Sequence, residues 1–384
     1  MRASTPETIL YLNMIPGDLV KERLLAGIRR YARGRGWEVE AVREAASRPR
    51  MIPELIANKH PVGCIVQCGR DVVLPPLRSF GNVPAVFLGA DDASRSDFVN
   101  RVVFDEEAVA RTAFRELSAG KPEAYATVIF RQPRTWSLAR EAAFRTLVAT
   151  SGRPCLSFRG HWPKREKPSV RAARFAKWLT ALPRKCAVFA MNDDSAMEVV
   201  AAARSVGRRI PQDITLLGVD NDVSICEASR PTISSIQMDF ENAGFLAARM
   251  LAERRSASID VGPLLPVRRE STRGRGRREP LILEAVETIR REACDGLTVR
   301  ALIDRFPGSR RLFELRFREA MGYSVLDEIQ NIRLQKVYTL LARTDTAIGA
   351  IAGLCGYRTD IALRKLFRAR EGMSMQEWRR RNGR

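Results

Sequence analysis

The 384-residue chain contains only two histidines, His60 and His161. Histidine is the commonest general base and a frequent metal ligand, so this scarcity weighs against catalysis. The glycine loops that cradle phosphates are missing, and so is a histidine-centred triad. No run approaches the roughly 18–20 uncharged apolar residues that cross a bilayer. The stretch from Met1 to Asn13 lacks the apolar core and cleavage site of a signal peptide. The seven cysteines are scattered and odd in number, which fits reduced cytoplasmic thiols better than a disulfide framework. Cys64 and Cys68 are the one close pair, and with no second ligand pair nearby they read as core packing rather than zinc binding. No metal and no cofactor is expected. Acidic residues are also few: 44 Asp and Glu against 65 Lys and Arg leave a formal charge of +21. That surplus implies a polyanionic partner, nucleic acid before any other, with a soluble basic enzyme as the plainer alternative.

What is present is an alternation of strands and helices. Apolar runs at Ile9–Leu12, Val62–Val66, Val83–Leu88, Tyr125–Phe130, Ala187–Ala190 and Thr215–Val219 read as strands. Between them, helical spacing covers Leu19–Arg33, Glu106–Leu117, Arg140–Val148 and Ser195–Val206. Strands separated by such helices imply parallel sheets with crossover connections, and two successive series imply two lobes. Near residue 266 the composition turns to Arg, Gly and Pro without an apolar period, the mark of an exposed flexible linker. Beyond Pro280 every segment is helical. The expected organisation is a two-lobed α/β sensor unit over residues 1–265, a basic linker over 266–279 and an all-α unit over 280–384.

The all-α third carries two short-helix pairs separated by a longer helix, about Val325–Arg343. In the first pair, Thr298–Phe306 breaks at Pro307-Gly308, and a basic helix starts after Ser309, a good N-cap. Leu312 or Phe313, with Phe317, would face its core. In the second pair, Thr346 is a cap candidate, Gly356-Tyr357 makes the turn, and Asp360–Arg370 forms the second helix with Leu363, Leu366 and Phe367 as its apolar side. A helix, a tight turn and a basic second helix is the helix-turn-helix arrangement, whose second helix enters the major groove.

Ile348-x-x-Ile351-Ala352-x-x-Cys355-Gly356-Tyr357, then Phe367, Gly372, Ser374 and Trp378-Arg379, resembles the signature of AraC/XylS-type transcription regulators. Phe317, Gly322 and Ser324 are similar to that family's first recognition helix and its exit. Leu363 stands where the family often has Phe, and Met375 replaces the usual Pro; both are apolar, so the fold is unaffected. The resemblance implies base-edge contacts from Arg311, Glu314 and Leu315 in the first unit and from Asp360, Arg364 and Lys365 in the second. Ser309, Arg310, Arg318, Thr359 and Arg368 complete the expected DNA-contacting set. Leu315 can equally be core.

In a parallel α/β unit, ligands bind at the carboxyl ends of the strands. Asn13, Asp105, Asn192 and Asp220-Asn221 follow candidate strands, and Trp136 with Arg140 at i, i+4 can present a ring and a guanidinium to one site. Carboxylates and amides bind sugar hydroxyls; aromatics stack on sugar rings. The alternative is that the Asp and Asn residues are helix caps, with Asp193 or Asp194 a fair cap before Ser195. Those two aspartates have no evident third ligand for a metal.

Arg140-Glu-Ala-Ala-Phe144, Met191-Asn192-Asp193-x-x-Ala196, Gly218-Val219-Asp220-Asn221 and Pro231-x-Ile-Ser-Ser-Ile236 resemble, in that order, the LacI-type, periplasmic-binding-protein-like sensor domain. The resemblance implies that Arg140, Asn192 and Asp220 hold a sugar. Together the two resemblances imply a cytoplasmic, homodimeric regulator of double-stranded operator DNA. It would answer to a xylose-like sugar, activate transcription and meet RNA polymerase. The competing reading is a sugar- or nucleotide-processing enzyme with a DNA-binding appendage.

Overall fold

The computed structural model describes residues 7–15, 20–42, 49–68, 75–89, 100–163, 165–254, 257–273, 280–321 and 324–382. The first lobe contains β1 (Thr8–Asn13), α1 (Lys21–Arg35), β2 (Glu38–Val42), α2 (Ile52–Lys59), β3 (Gly63–Gln67), β4 (Ala85–Leu88) and β5 (Asn100–Phe104). The chain then crosses to the second lobe, with α3 (Glu106–Ser118), β6 (Ala124–Ile129), α4 (Thr135–Ala149), β7 (Cys155–Arg159), α5 (Pro168–Thr180) and β8 (Cys186–Ala190). α6 (Asp193–Ser205), β9 (Ile214–Val219), α7 (Val223–Ala228) and β10 (Ser234–Met238) complete that run. It returns through α8 (Phe240–Glu253) and β11 (Ala257–Val261), and crosses a third time into β12 (Pro263–Val267) and α9 (Glu270–Arg273).

The sheet orders are β11-β5-β4-β3-β1-β2 and β12-β10-β9-β8-β6-β7. Each lobe is thus the same doubly wound sheet with one late strand added at its edge. The described pairings are parallel except β12 against β10. Parallel strands covered by helices on both faces are apolar throughout. Ile9, Leu10, Tyr11 and Leu12 are accordingly all fully buried. Cys64 and Cys68 pack in the same first-lobe core as Leu10 and Phe87. Helix α8 crosses α1 so closely that a Cβ on Gly244 would run into the Leu24 carbonyl oxygen.

The expected linker is corrected in part. Pro266 and Val267, its first two residues, belong to β12 (Pro263–Val267), and Pro263 and Pro266 are tolerated because this is an edge strand. Arg268 then makes a bidentate pair with Glu116 of α3 at 2.5 and 2.7 Å. Ser271 is fully buried, donating to the Leu216 carbonyl and accepting from the Ser234 amide. These bonds anchor residues 266–273 to the second lobe; residues 274–279 lie outside the described residues.

The C-terminal unit runs α10 (Pro280–Glu292), α11 (Val299–Ile303), α12 (Arg310–Met321), α13 (Val325–Arg343), α14 (Ile348–Leu354), α15 (Asp360–Glu371) and α16 (Met375–Asn382). Ser324 and Asp327 form a capping box at the start of α13. The first half of α13 gives Val325 and Ile329 to one core with Phe313 and Phe317. Its second half gives Leu334, Val337 and Leu341 to another core with Leu363, Phe367 and Trp378. One helix thereby joins two helix-turn-helix units. Thr346 does not cap α14: Ala347 holds that position without a side-chain bond, and the Thr346 hydroxyl instead accepts from Thr344. Gly322 lies outside the described residues.

The second unit lies across both lobes. α16 contacts β11, the edge strand of the first sheet, and α13 contacts β12, the edge strand of the second. Leu265 of β12, only 7% exposed, joins the core of the second helix-turn-helix unit.

Candidate functional site

A cleft of about 360 Å³ opens between the lobes. Its walls include Asn192, Asp193 and Asp194 after β8, Asp220, Asn221 and Asp222 after β9, and Gln237 near the end of β10. From the first lobe come Val20 and Arg23, at the start of α1. Of the residues expected from strand ends, Asn192, Asp220 and Asn221 thus meet in one carboxyl-end crevice. Arg23 and Gln237 escaped sequence reasoning: Arg23 sits in the first turn of a helix and Gln237 within a strand, so neither carries the strand-end signal.

Asp220 and Asn221 hold φ angles of 102° and 51°. Two successive non-glycine residues at positive φ cost of order 1–3 kcal/mol each, and such strain clusters at functional sites. The turn is held by neighbours. The Asn221 amide donates to Ser235 Oγ at 3.0 Å, and Arg269 Nη2 donates to Asn221 Oδ1 at 2.9 Å. Arg23 Nη1 and Nη2 donate to the carbonyls of Asp220 and Met238 at 2.6 and 2.9 Å, tying the first lobe to the second.

Asn192, rather than Asp193 or Asp194, caps α6: its Oδ1 accepts from the Ser195 amide at 3.0 Å. Asp193 is buried behind it, and the Asp222 amide donates to its Oδ2 at 2.8 Å. Burial first, and the charge of Asp220 second, push the Asp193 carboxyl up to about 7. A Cβ at residue 218 would displace Asp193 Oδ1, so glycine there leaves room for the buried carboxyl group.

The other expected ligand residues are not brought to this cleft. Asn13 Oδ1 accepts from the Ile15 amide, a local turn bond. Asp105 caps α3 through the Ala108 amide, and its own amide donates to the Val261 carbonyl at 3.0 Å, which places it at a lobe crossover. Trp136 and Arg140 do face each other, with the guanidinium 4.9 Å from the ring centroid. Arg140 is only 3% exposed, pairs with Glu106 at 2.7 Å and donates to the Met191 carbonyl. That network joins α3, α4 and the end of β8 inside the protein.

The expected DNA-contacting residues form two exposed faces. On α12, Phe313 and Phe317 turn inward while Arg311, Leu315 and Arg318 are exposed. Leu312 is exposed as well, so Phe313 is the core residue. On α15, Leu363 and Phe367 are buried while Arg364, Lys365 and Arg368 are exposed. Ser309 and Thr359 accept from the Leu312 and Ala362 amides, each at 3.3 Å, and so cap the two helices. Arg310 pairs with Glu314 at 2.9 Å and Arg364 with Asp360 at 3.1 Å, both on the surface. Met375 is buried, as its apolar character required.

Residues 123–272 match the periplasmic binding protein-like domain, and residues 302–381 match a helix-turn-helix domain. The xylose operon regulatory protein of Escherichia coli K12 is 27% identical over 286 residues, covering 72% of this chain and 73% of that protein. The protein of the same name from Haemophilus influenzae is 26% identical over 250 residues, covering 64% and 65%. The solved structure of a xylose-binding transcription activator, 23% identical, superposes with a TM-score of 0.58 over 99% of this chain and 100% of that one. Among the described residues no helix is long and apolar enough to cross a membrane. The chain is a DNA-binding transcription regulator in which a periplasmic-binding-protein-like sensor precedes an AraC-type double helix-turn-helix domain.

Proposed function

We propose that the chain binds a sugar in the cleft between its lobes and, as a homodimer in the cytoplasm, uses that event to activate a sugar catabolic operon. The strained Asp220–Asn221 turn inside an inter-lobe cleft carries this reading. Asn192, Asp194, Asp220 and Gln237 supply carboxylates and amides, the groups that pair with vicinal hydroxyls, and Arg23 adds a donor from the opposite lobe. Two curated relatives are named for the xylose operon and the full-length structural neighbour is described as xylose-binding, which supports xylose as the first sugar to try. Arg140 would contribute by holding the end of β8, and Asn13, Asp105 and Trp136 through lobe geometry.

On the DNA side, α12 and α15 would enter successive major grooves. Arg311, Glu314, Leu315, Asp360, Arg364 and Lys365 would meet base edges, and Arg310, Arg318 and Arg368 the phosphates. Ser309 and Thr359 would set the helix starts against the backbone. RNA polymerase would be the partner in activation. The test is thermal unfolding of the full chain against pentoses and hexoses. A ligand that binds only the folded state raises the transition. A rise with xylose or a related sugar supports the reading, and no rise with any sugar removes it. Recovery of the sugar unchanged separates a sensor from an enzyme.

A further inference from the structure

Ile361 is 73% exposed, more than any other large apolar side chain among the described residues. It is the second residue of α15, in the N-terminal turn from which recognition helices address base edges. Helical spacing aligns it with Arg364, Lys365 and Arg368, on the face opposite the buried Leu363 and Phe367. The first unit has the same composition. Leu315, 53% exposed, stands between Arg311 and Arg318, opposite Phe313 and Phe317. Each basic face therefore carries large apolar side chains among cations: Ile361 on α15, and Leu315 with Leu312 beside it on α12. A phosphate-only surface has no use for them, whereas the major groove offers one apolar group, the thymine C5-methyl.

We propose that Ile361 is a specificity-determining residue that packs on a thymine methyl in the second half of each operator site, as the counterpart of Leu315 in the first. The proposal rests on the DNA-binding reading above. The experiment uses the full chain and a duplex selected from random sequence. Each thymine is replaced in turn by deoxyuridine, which removes only the methyl group. In the wild-type protein at least one replacement should weaken binding by about 3- to 10-fold, the scale of one buried methyl. In Ile361→Ala that penalty should vanish while penalties elsewhere in the site persist. Ile361→Ala should keep the wild-type unfolding temperature, since the side chain touches no core. If Ile361→Ala retains every wild-type penalty, or if the wild type ignores every replacement, the proposal is overturned. Failure of the wild-type chain to select any sequence would instead overturn the DNA-binding reading.

A separate observation joins the cleft to the DNA-binding unit. Arg269 follows β12 and donates to Asn221 in the cleft, while its Nη1 donates to the Ile233 carbonyl at 2.9 Å. Its neighbour Arg268 is fixed to α3, and Leu265, four residues back, lies in the core of the second helix-turn-helix unit. We infer that Arg269 is a positioning residue: occupancy at Asn221 shifts its guanidinium and, through β12, the seat of the second unit. This rests on the sugar reading. Full-length wild type, Arg269→Ala and Arg269→Lys are titrated with the selected duplex, with and without xylose. Because Arg269 also holds Asn221 in the cleft, Arg269→Ala should need more xylose but still show a thermal response at saturation; at that saturating concentration it should lose the xylose-induced change in DNA affinity, and Arg269→Lys should recover part of it. A full change in Arg269→Ala overturns the inference. A wild type whose DNA affinity ignores xylose, despite a thermal response, overturns it too, whereas absence of any thermal response overturns the sugar reading itself.

Discussion

The sensor and the DNA-binding module treat their charged groups in opposite ways. In the sensor, Arg140, Glu141 and Asp193 are buried, and a strained turn frames the cleft. In the helix-turn-helix units the cores are apolar, and the arginines of α12 and α15 proposed to meet DNA stand in solvent. Of the three buried sensor groups, only Asp193 also lines the cleft, so there a single buried group bears on both the fold and the site. Exposed charges contribute little to folding, so the module can change its DNA contacts without losing its fold.

Mutations make that contrast measurable. Arg140→Ala leaves Glu106 facing an emptied site and removes the donor to Met191; it should cost about 3–5 kcal/mol of sensor stability, seen in denaturant unfolding. Arg364→Ala should weaken operator binding by about 1–3 kcal/mol and leave unfolding unchanged, because its partner Asp360 is on the surface. An equal effect of Arg364→Ala on stability would erase the distinction between the two regions.

The Asp193 carboxyl titrates near 7 in the folded protein, against about 4 for an ordinary carboxylate. The folded state thus holds a proton that the unfolded chain releases. The corresponding stability is present below about pH 4 and is lost as pH rises toward 7. Asp193→Asn should flatten that decline in unfolding temperature while still accepting from the Asp222 amide. An unchanged profile would show that Asp193 ionises freely. The smallest effect is expected from Arg310→Ala, whose surface pair with Glu314, one turn further along the same helix, contributes under about 0.5 kcal/mol to unfolding stability.

The same contrast governed what the sequence disclosed. Apolar spacing places the middle helix at about Val325–Arg343, where it is found, because capping and spacing are local signals. The alternating lobes were legible for the same reason. Within the site, a polar residue after a strand has two physical uses, ligand contact and helix capping. Asp220 and Asn221 line the cleft, Asn192 lines it while capping α6, and Asp105 caps α3 and Asn13 closes a turn away from it. Only the fold decides between those uses. The last two residues of β12, Pro266 and Val267, fall in the expected linker because a proline and the arginines that follow imitate solvent-exposed chain. The strand's role appears only once β10 and the second helix-turn-helix core are placed beside it.

Coupling between the cleft and the operator is decided by equilibrium binding of the full chain to its selected duplex, with and without saturating xylose. The expected result is a change in affinity on the roughly 5- to 150-fold scale typical of coupled sites, abolished by Asp220→Ala. Equal affinities, in a protein whose unfolding temperature xylose does raise, would contradict that coupling.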